Sequence, residues 1–299
     1  MPLMFKVQQR FGTGPLPLLL ATGGLLGVTF PLSKLAREAG VAPTIWAFII
    51  AAGTAAFLSP LLIWTRRTLP MNIRSLCFYG IAGLVSNVIP NVLVFTVIPK
   101  LGAGFTAILF TLSPIFTLIF ATVLRMRRPT ALGTVGIGLG FVGSLLIIFS
   151  KGQIEHPSAP IWIGLALLIP ITLACGNIYR TLAWPTGQDG LTLAIGTNIA
   201  AALVLAAVLL VSSGKLDVVT VLAVPWLILA QVIASGLMFS LFFRLQHVGG
   251  PVYLSQIGYV AATVGLAAGA VLGERYGFIT WLGAFVVACG VALTSAAQR

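Results

Sequence analysis

Two groups of polar residues interrupt otherwise apolar stretches of this sequence, and both suit recognition of a small polar solute. In the first, Ser86, Asn87, Pro90 and Asn91 fall together. Pro90 has no amide hydrogen, so in a helix the carbonyl of Ser86, four residues earlier, loses its donor. Asn87 and Asn91 are four apart and share one helix face. Free carbonyls and amide oxygens suit an ammonium group, while amide N–H groups suit a carboxylate. Ser113-Pro114 repeats the device, releasing the carbonyl of Phe110. In the second group Tyr253, Gln256 and Tyr259 are spaced by threes, which makes a continuous stripe on a helix. Tyrosine rings with polar tips can contact an apolar or aromatic side chain while bonding its polar end. Phe239 and Tyr79 complete the substrate-binding candidates. Tyr79, like Tyr179, Trp162 and Trp46, lies toward an expected membrane interface, where aromatic belts arise without function. All these groups can equally bond neighbouring helices. Pro31, Pro90, Pro114 and Pro170 mark where helices could bend in a working cycle, a static kink being the default.

The remaining chemistry is sparse. The five acids, Glu38, Glu155, Asp189, Asp217 and Glu274, fall at or beyond the ends of apolar runs. Coupled carriers often hold a carboxylate at mid-depth, so uncoupled facilitated diffusion is the expectation. His156 and His247 lie near run ends and suit solvated or capping roles. Cys77, Cys175 and Cys289 are isolated, with neither metal-ligand spacing nor a disulfide framework. No metal and no cofactor are expected, and such scattered groups argue against a lipid-modifying enzyme. A channel would want a ring of like charges or a carbonyl filter. Lys34, Arg180 and Arg244 read as side chains snorkelling to the interface, with guidance of an anionic group as the alternative. Basic residues at helix ends favour a zwitterionic or neutral solute over a phosphorylated one.

These groups need elements to hold them. Of 299 residues, 59% are hydrophobic and 7% charged, against about 25% charged in soluble domains. A water-soluble surface cannot be covered so sparsely. At about 20 residues per membrane-spanning helix, the pattern predicts ten spans, at 15–34, 42–64, 74–98, 101–124, 131–149, 160–183, 190–211, 225–246, 250–272 and 277–296. A polar connector occupies 151–159. Lys6 and Arg10 before the first run resemble a signal peptide, but the run lacks a clear cleavage site and reads as an uncleaved first helix. The net charge of +12 sits in short clusters between runs, as orientation signals do, and nucleic acid is not expected as a partner. With both termini in the cytoplasm, eleven of the 17 basic residues fall inside, which the positive-inside rule favours.

The chain also repeats itself. An offset of 147 residues superposes Phe95 on Phe242, Gly102 on Gly249, Ala121 on Ala268, Gly136 on Gly283 and Gly143 on Gly290. The same offset carries spans three to five onto eight to ten, drifting by about two residues near the start, where Gly27 falls near Gly176. Five spans per half force the second half to enter the membrane from the opposite side, the inverted-repeat plan of secondary transporters. Helices of similar composition are the alternative source of the likeness. Gly23 with Gly27, Gly136 with Gly140, and Gly265 with Gly269 and Gly273 have the spacing of close helix contacts in lipid.

With Ser113-Pro114 in the fourth span, Leu272-Gly273-Glu274-Arg275 closing the ninth, and Trp281, Gly283, Gly290 and Val291 in the tenth, the chain resembles the drug/metabolite transporter superfamily over nearly its whole length. It looks most like the EamA-type branch and the bacterial aromatic amino acid exporters. Two positions depart from the pattern: Arg127 stands opposite Glu274 in the repeat, and Ala261 opposite Pro114. The resemblance implies an all-α, polytopic membrane protein of ten helices in two inverted five-helix halves, 1–150 and 151–299. Spans one, three, four, six, eight and nine would line a central cavity. The implied activity is export of amino acids by alternating access in a bacterial cytoplasmic membrane, by a monomer or a dimer. Export of drugs, other metabolites or sugar phosphates is the alternative.

Overall fold

In a computed structural model, residues 14–93, 96–97, 111–126, 130–150, 160–211, 223–271 and 276–297 are described. Outside them lie Phe95, Gly102, the Phe110 carbonyl, Arg127, the 151–159 connector with Glu155 and His156, Asp217, and Leu272-Gly273-Glu274-Arg275. The described residues form helices and no strand. In chain order they are α1 (Pro15–Glu38), α2 (Pro43–Trp64), α3 (Ile73–Leu93), α4 (Ser113–Val123), α5 (Ala131–Ser150), α6 (Pro160–Leu182), α7 (Gly190–Val211), α8 (Pro225–Ser255), α9 (Ile257–Val271) and α10 (Phe278–Ala296). Seven of them, α1, α2, α3, α6, α7, α8 and α10, are long and apolar enough to cross a membrane.

The local sequence explains where these helices begin. Proline occupies the first turn of α1, α2, α4 and α8, where its missing N–H costs nothing and its fixed φ suits the helix. Asn72 caps α3, its Oδ1 accepting from the Ser75 amide at 2.9 Å. Asp189 caps α7, accepting from the Leu191 and Thr192 amides at 2.9 and 3.1 Å. Large apolar side chains such as Trp226 and Phe285 remain on the outside, as lipid-facing positions require.

Two breaks in regular geometry bear on the rest. In α3, residues Leu84–Val88 form a turn of π-helix just before Pro90. In α8, Gly250 has φ 74° and ψ 179°, a region essentially confined to glycine, and Pro251 follows. The two spans expected at 225–246 and 250–272 therefore meet at a sharp kink at Gly250, and helical geometry lapses again at Gln256 between α8 and α9.

Glycine sets the closest approach between helices. A Cβ on Gly136 of α5 would stand 2.7 Å from the Gly290 carbonyl oxygen of α10, and one on Gly143 would stand 2.6 Å from that of Gly283. The reciprocal distances are 2.5 Å from Gly290 to the Gly136 oxygen and 2.7 Å from Gly283 to the Gly143 oxygen. The 147-residue offset turns each of these contacts into the other, the signature of a two-fold relation between the helices. On α1, Gly23 and Gly27 admit Val260 and Val264 of α9 in the same way. Beyond these seams, one apolar core gathers Leu18, Leu19, Leu254, Val287 and Val291 around Tyr253 and Tyr259, and a second gathers Leu58, Phe78, Leu193 and Phe243 around Tyr79.

Candidate functional site

Among the described residues, one arginine is buried in the interior of the bundle. Arg180, in the last turn of α6, is 2% exposed. Its Nε donates to Gln246 Oε1 of α8 at 2.8 Å, one terminal nitrogen donates to Asn177 Oδ1 at 2.6 Å, and the other to the Ser86 hydroxyl on the π turn of α3. The guanidinium carbon lies 4.8 Å from the centre of the Phe242 ring, within cation–π range. Gln246 is itself anchored, its Nε2 donating to the Asn177 carbonyl and the Thr181 hydroxyl, both at 2.7 Å. The Asn177 amide reaches Thr117 Oγ1 of α4 at 3.4 Å. Three helices, α3, α6 and α8, thus converge on one cation, and α4 joins them through Asn177.

The local sequence builds this arrangement. Asn177 and Arg180 are three apart on one face of α6, as Phe242 and Gln246 are four apart on α8. Gly176 leaves room for α3, since a Cβ there would overlap the Ser86 hydroxyl. The snorkelling expected of Arg180 is corrected by its burial. In an α-helix each Cα–Cβ bond tilts toward the amino terminus, so from the end of α6 the side chain reaches back into the bundle, where amide and hydroxyl partners meet it.

The structure places the sequence-derived candidates in three settings. Phe239, partly buried, packs 5.9 Å from the Phe242 ring and so belongs to the aromatic wall beside Arg180. On α3, one residue past Ser86, Asn87 is half-buried, as is Asn91, whose side-chain amide donates back to the Asn87 carbonyl at 2.6 Å. Ser113 and Pro114 are buried at the start of α4, and the Ser113 carbonyl accepts from Thr117 at 2.8 Å.

Tyr253, Gln256 and Tyr259 stand apart from Arg180's partners, each at most 1% exposed. The Tyr253 hydroxyl donates to Ser295 of α10 at 2.7 Å, Ser295 giving its own proton to the Val291 carbonyl. Gln256 Oε1 is 2.5 Å from the Thr294 hydroxyl. The Tyr259 hydroxyl lies 3.3 Å from the carbonyls of Thr111 and Ile137. These three side chains tie α8 and α9 to α10, to α5 and to the segment before α4.

Tyr79 is buried and donates to Gln188 Oε1 at 3.0 Å. Gln188 borders a cavity of about 650 Å³ at one end of α3 and α6, lined also by Asn72, Arg74, Ser75, Tyr179 and Trp184. Nearby, Arg67 pairs with Asp189 at 2.8 Å. Pro31 and Pro170 lie inside α1 and α6, Pro114 opens α4, and Pro90 follows the π turn. Among the described residues no three His, Cys, Asp or Glu side chains gather as metal ligands.

Sequence reasoning passed over the joint role of Arg180 and Gln246 and the Gly250-Pro251 break. The Asn177-x-x-Arg180 spacing inside an apolar run was the available signal for the first.

Residues 15–149 match the sequence pattern of the EamA-like transporter family. Over those residues, just under half of the chain, it is similar to that family. A WAT1-related protein of Arabidopsis thaliana is 31% identical to this chain over 141 residues, 44% of the chain and 38% of the plant protein. The chain thus spans well under half the length of that relative. A solved structure described only as "Crystal structure of protein" shares the fold, with a TM-score of 0.77 over 95% of this chain and 99% of its own, at 15% identity.

Proposed function

We propose that this EamA-like chain is a membrane transporter working by alternating access, with two inverted five-helix halves, 1–150 and 151–299, around a central path. The observation that carries the proposal is the pattern of helix contacts. When each helix is exchanged with the one five places along, the principal contacts map onto one another. The contact of α1 with α9 becomes that of α6 with α4, α1 with α8 becomes α6 with α3, and α2 with α8 becomes α7 with α3. The pairs α2 with α7 and α5 with α10 map onto themselves, the latter through the exchanged glycine contacts. Two such halves can adopt two arrangements exchanged by a two-fold axis in the membrane plane about a fixed site, which is the structural requirement for alternating access.

The solutes we propose are amino acids, aromatic and other neutral ones included, moved outward across a bacterial cytoplasmic membrane with both chain termini inside. The amide, hydroxyl, aromatic and guanidinium groups around Arg180 suit a zwitterion with an apolar side chain. The scarcity of acids favours movement down the solute's own gradient.

The test is counterflow of radiolabelled tryptophan, threonine and lysine into liposomes holding the purified protein, with and without a pH gradient. Uptake indifferent to the gradient is the expected result, and stimulation by it would show proton coupling. Folded protein that moves no amino acid would overturn the substrate assignment.

A further inference from the structure

We infer that Arg180 is the anchor for a carboxylate on the transported solute. The inference rests on the transport reading above and adds to it the atom that recognises the substrate. A charge inside a membrane bundle is costly and calls for a named partner. Among the described residues the acids are Glu38 and Asp189, and Asp189 is paired with Arg67. Arg180's bonds run instead to a glutamine oxygen, an asparagine oxygen and a serine hydroxyl. Such acceptors orient a guanidinium without cancelling its charge. They use three of its five N–H groups, and a planar fork held this way is suited to a carboxylate's two oxygens.

The contacts also differ in how firmly they hold. Gln246 and Asn177 are bonded to each other as well as to Arg180, so α6 and α8 keep the side chain aimed. The Ser86 contact comes from a π turn in α3 that ends two residues before Pro90, and π turns inside helices recur at functional sites. Release of Ser86 frees a terminal nitrogen while the other two bonds hold the guanidinium in place. The carboxylate enters on the α3 side, with Phe242 and Phe239 beside it to receive an apolar side chain.

The experiment compares an amino acid with its carboxamide, which keeps the ammonium and side chain and lacks the negative charge. Wild-type protein in liposomes is first shown to move the amino acid, which isolates this test from failure of the transport reading. Competition by the carboxamide should then be weaker by about 10- to 100-fold, the span of one or two charge-assisted hydrogen bonds. In Arg180→Gln the apparent affinity for the amino acid should fall by that factor and the affinity for the carboxamide should not change. Arg180→Lys, which keeps the charge but not the fork, should fall between. Wild-type protein binding acid and carboxamide equally would overturn the inference without any variant. A Gln or Lys variant that weakens both ligands alike would also overturn it, because it would make Arg180 a structural tie.

Discussion

Arg180 Nε and Gln246 Oε1 stand 2.8 Å apart, and the same glutamine returns two bonds to α6 through its Nε2. A neutral side chain thus holds a buried cation in place. Gln246→Glu should put a negative charge where that oxygen sits and satisfy Arg180 from within the chain. Amino acid counterflow should drop at least about tenfold, the new carboxylate pairing with Arg180 while the bonds that Nε2 donated to the Asn177 carbonyl and the Thr181 hydroxyl are lost. Unchanged transport would show that the free charge is not used.

The bonds of Tyr259 and the surroundings of Asn87 separate two roles. Tyr259→Phe removes a hydroxyl shared between the Thr111 and Ile137 carbonyls, and should lower stability by about 1 kcal/mol. Asn87→Ala alters a half-buried side chain one residue from Ser86 and should reduce transport with little change in melting temperature. Counterflow and thermal unfolding on the same preparations check both.

Gly290→Ala should destabilise the fold by about 1–3 kcal/mol, because its Cβ would stand 2.5 Å from the Gly136 oxygen and 2.6 Å from the Gly140 nitrogen, both backbone atoms. Gly24→Ala, where nothing lies within 4 Å, should be neutral or gain up to about 1 kcal/mol from helix propensity. Thermal unfolding of the two variants provides the comparison.

Gln231 is 0% exposed, and neither of its side-chain polar atoms has a partner. Leaving a buried amide unmatched costs about 1–3 kcal/mol, so Gln231→Leu should raise the melting temperature. A fall would mean that the amide is bonded when the protein sits in lipid.

Hydropathy located the helices well because, in lipid, a span must be apolar around its circumference. The glycines that the repeat offset superposes, 136 on 283 and 143 on 290, lie along one seam for a related reason, since only glycine permits backbones so close. What the sequence concealed depends on partners distant along the chain. Gln256 meets Thr294 and Tyr259 meets Thr111 across 38 and 148 residues, so the partners of that stripe could not be read from its spacing. Arg180 resembled an interfacial residue because its Cα is near a helix end; the direction of its Cβ decided otherwise. The kink at Gly250 fell where two runs were expected to meet, but nothing in composition distinguishes a loop from one residue in a glycine-only conformation.

The seam between α5 and α10 limits how those two helices can move against each other. Its two glycine contacts are tight against backbone, with the side chains of Thr294, Val287 and Ile147 packed beside them. Sliding one helix along the other would pull both contacts out of register together. A small rotation about a pivot midway between Gly136–Gly290 and Gly143–Gly283 keeps both. The seam therefore resists sliding of α5 along α10 more than a rocking of one helix on the other.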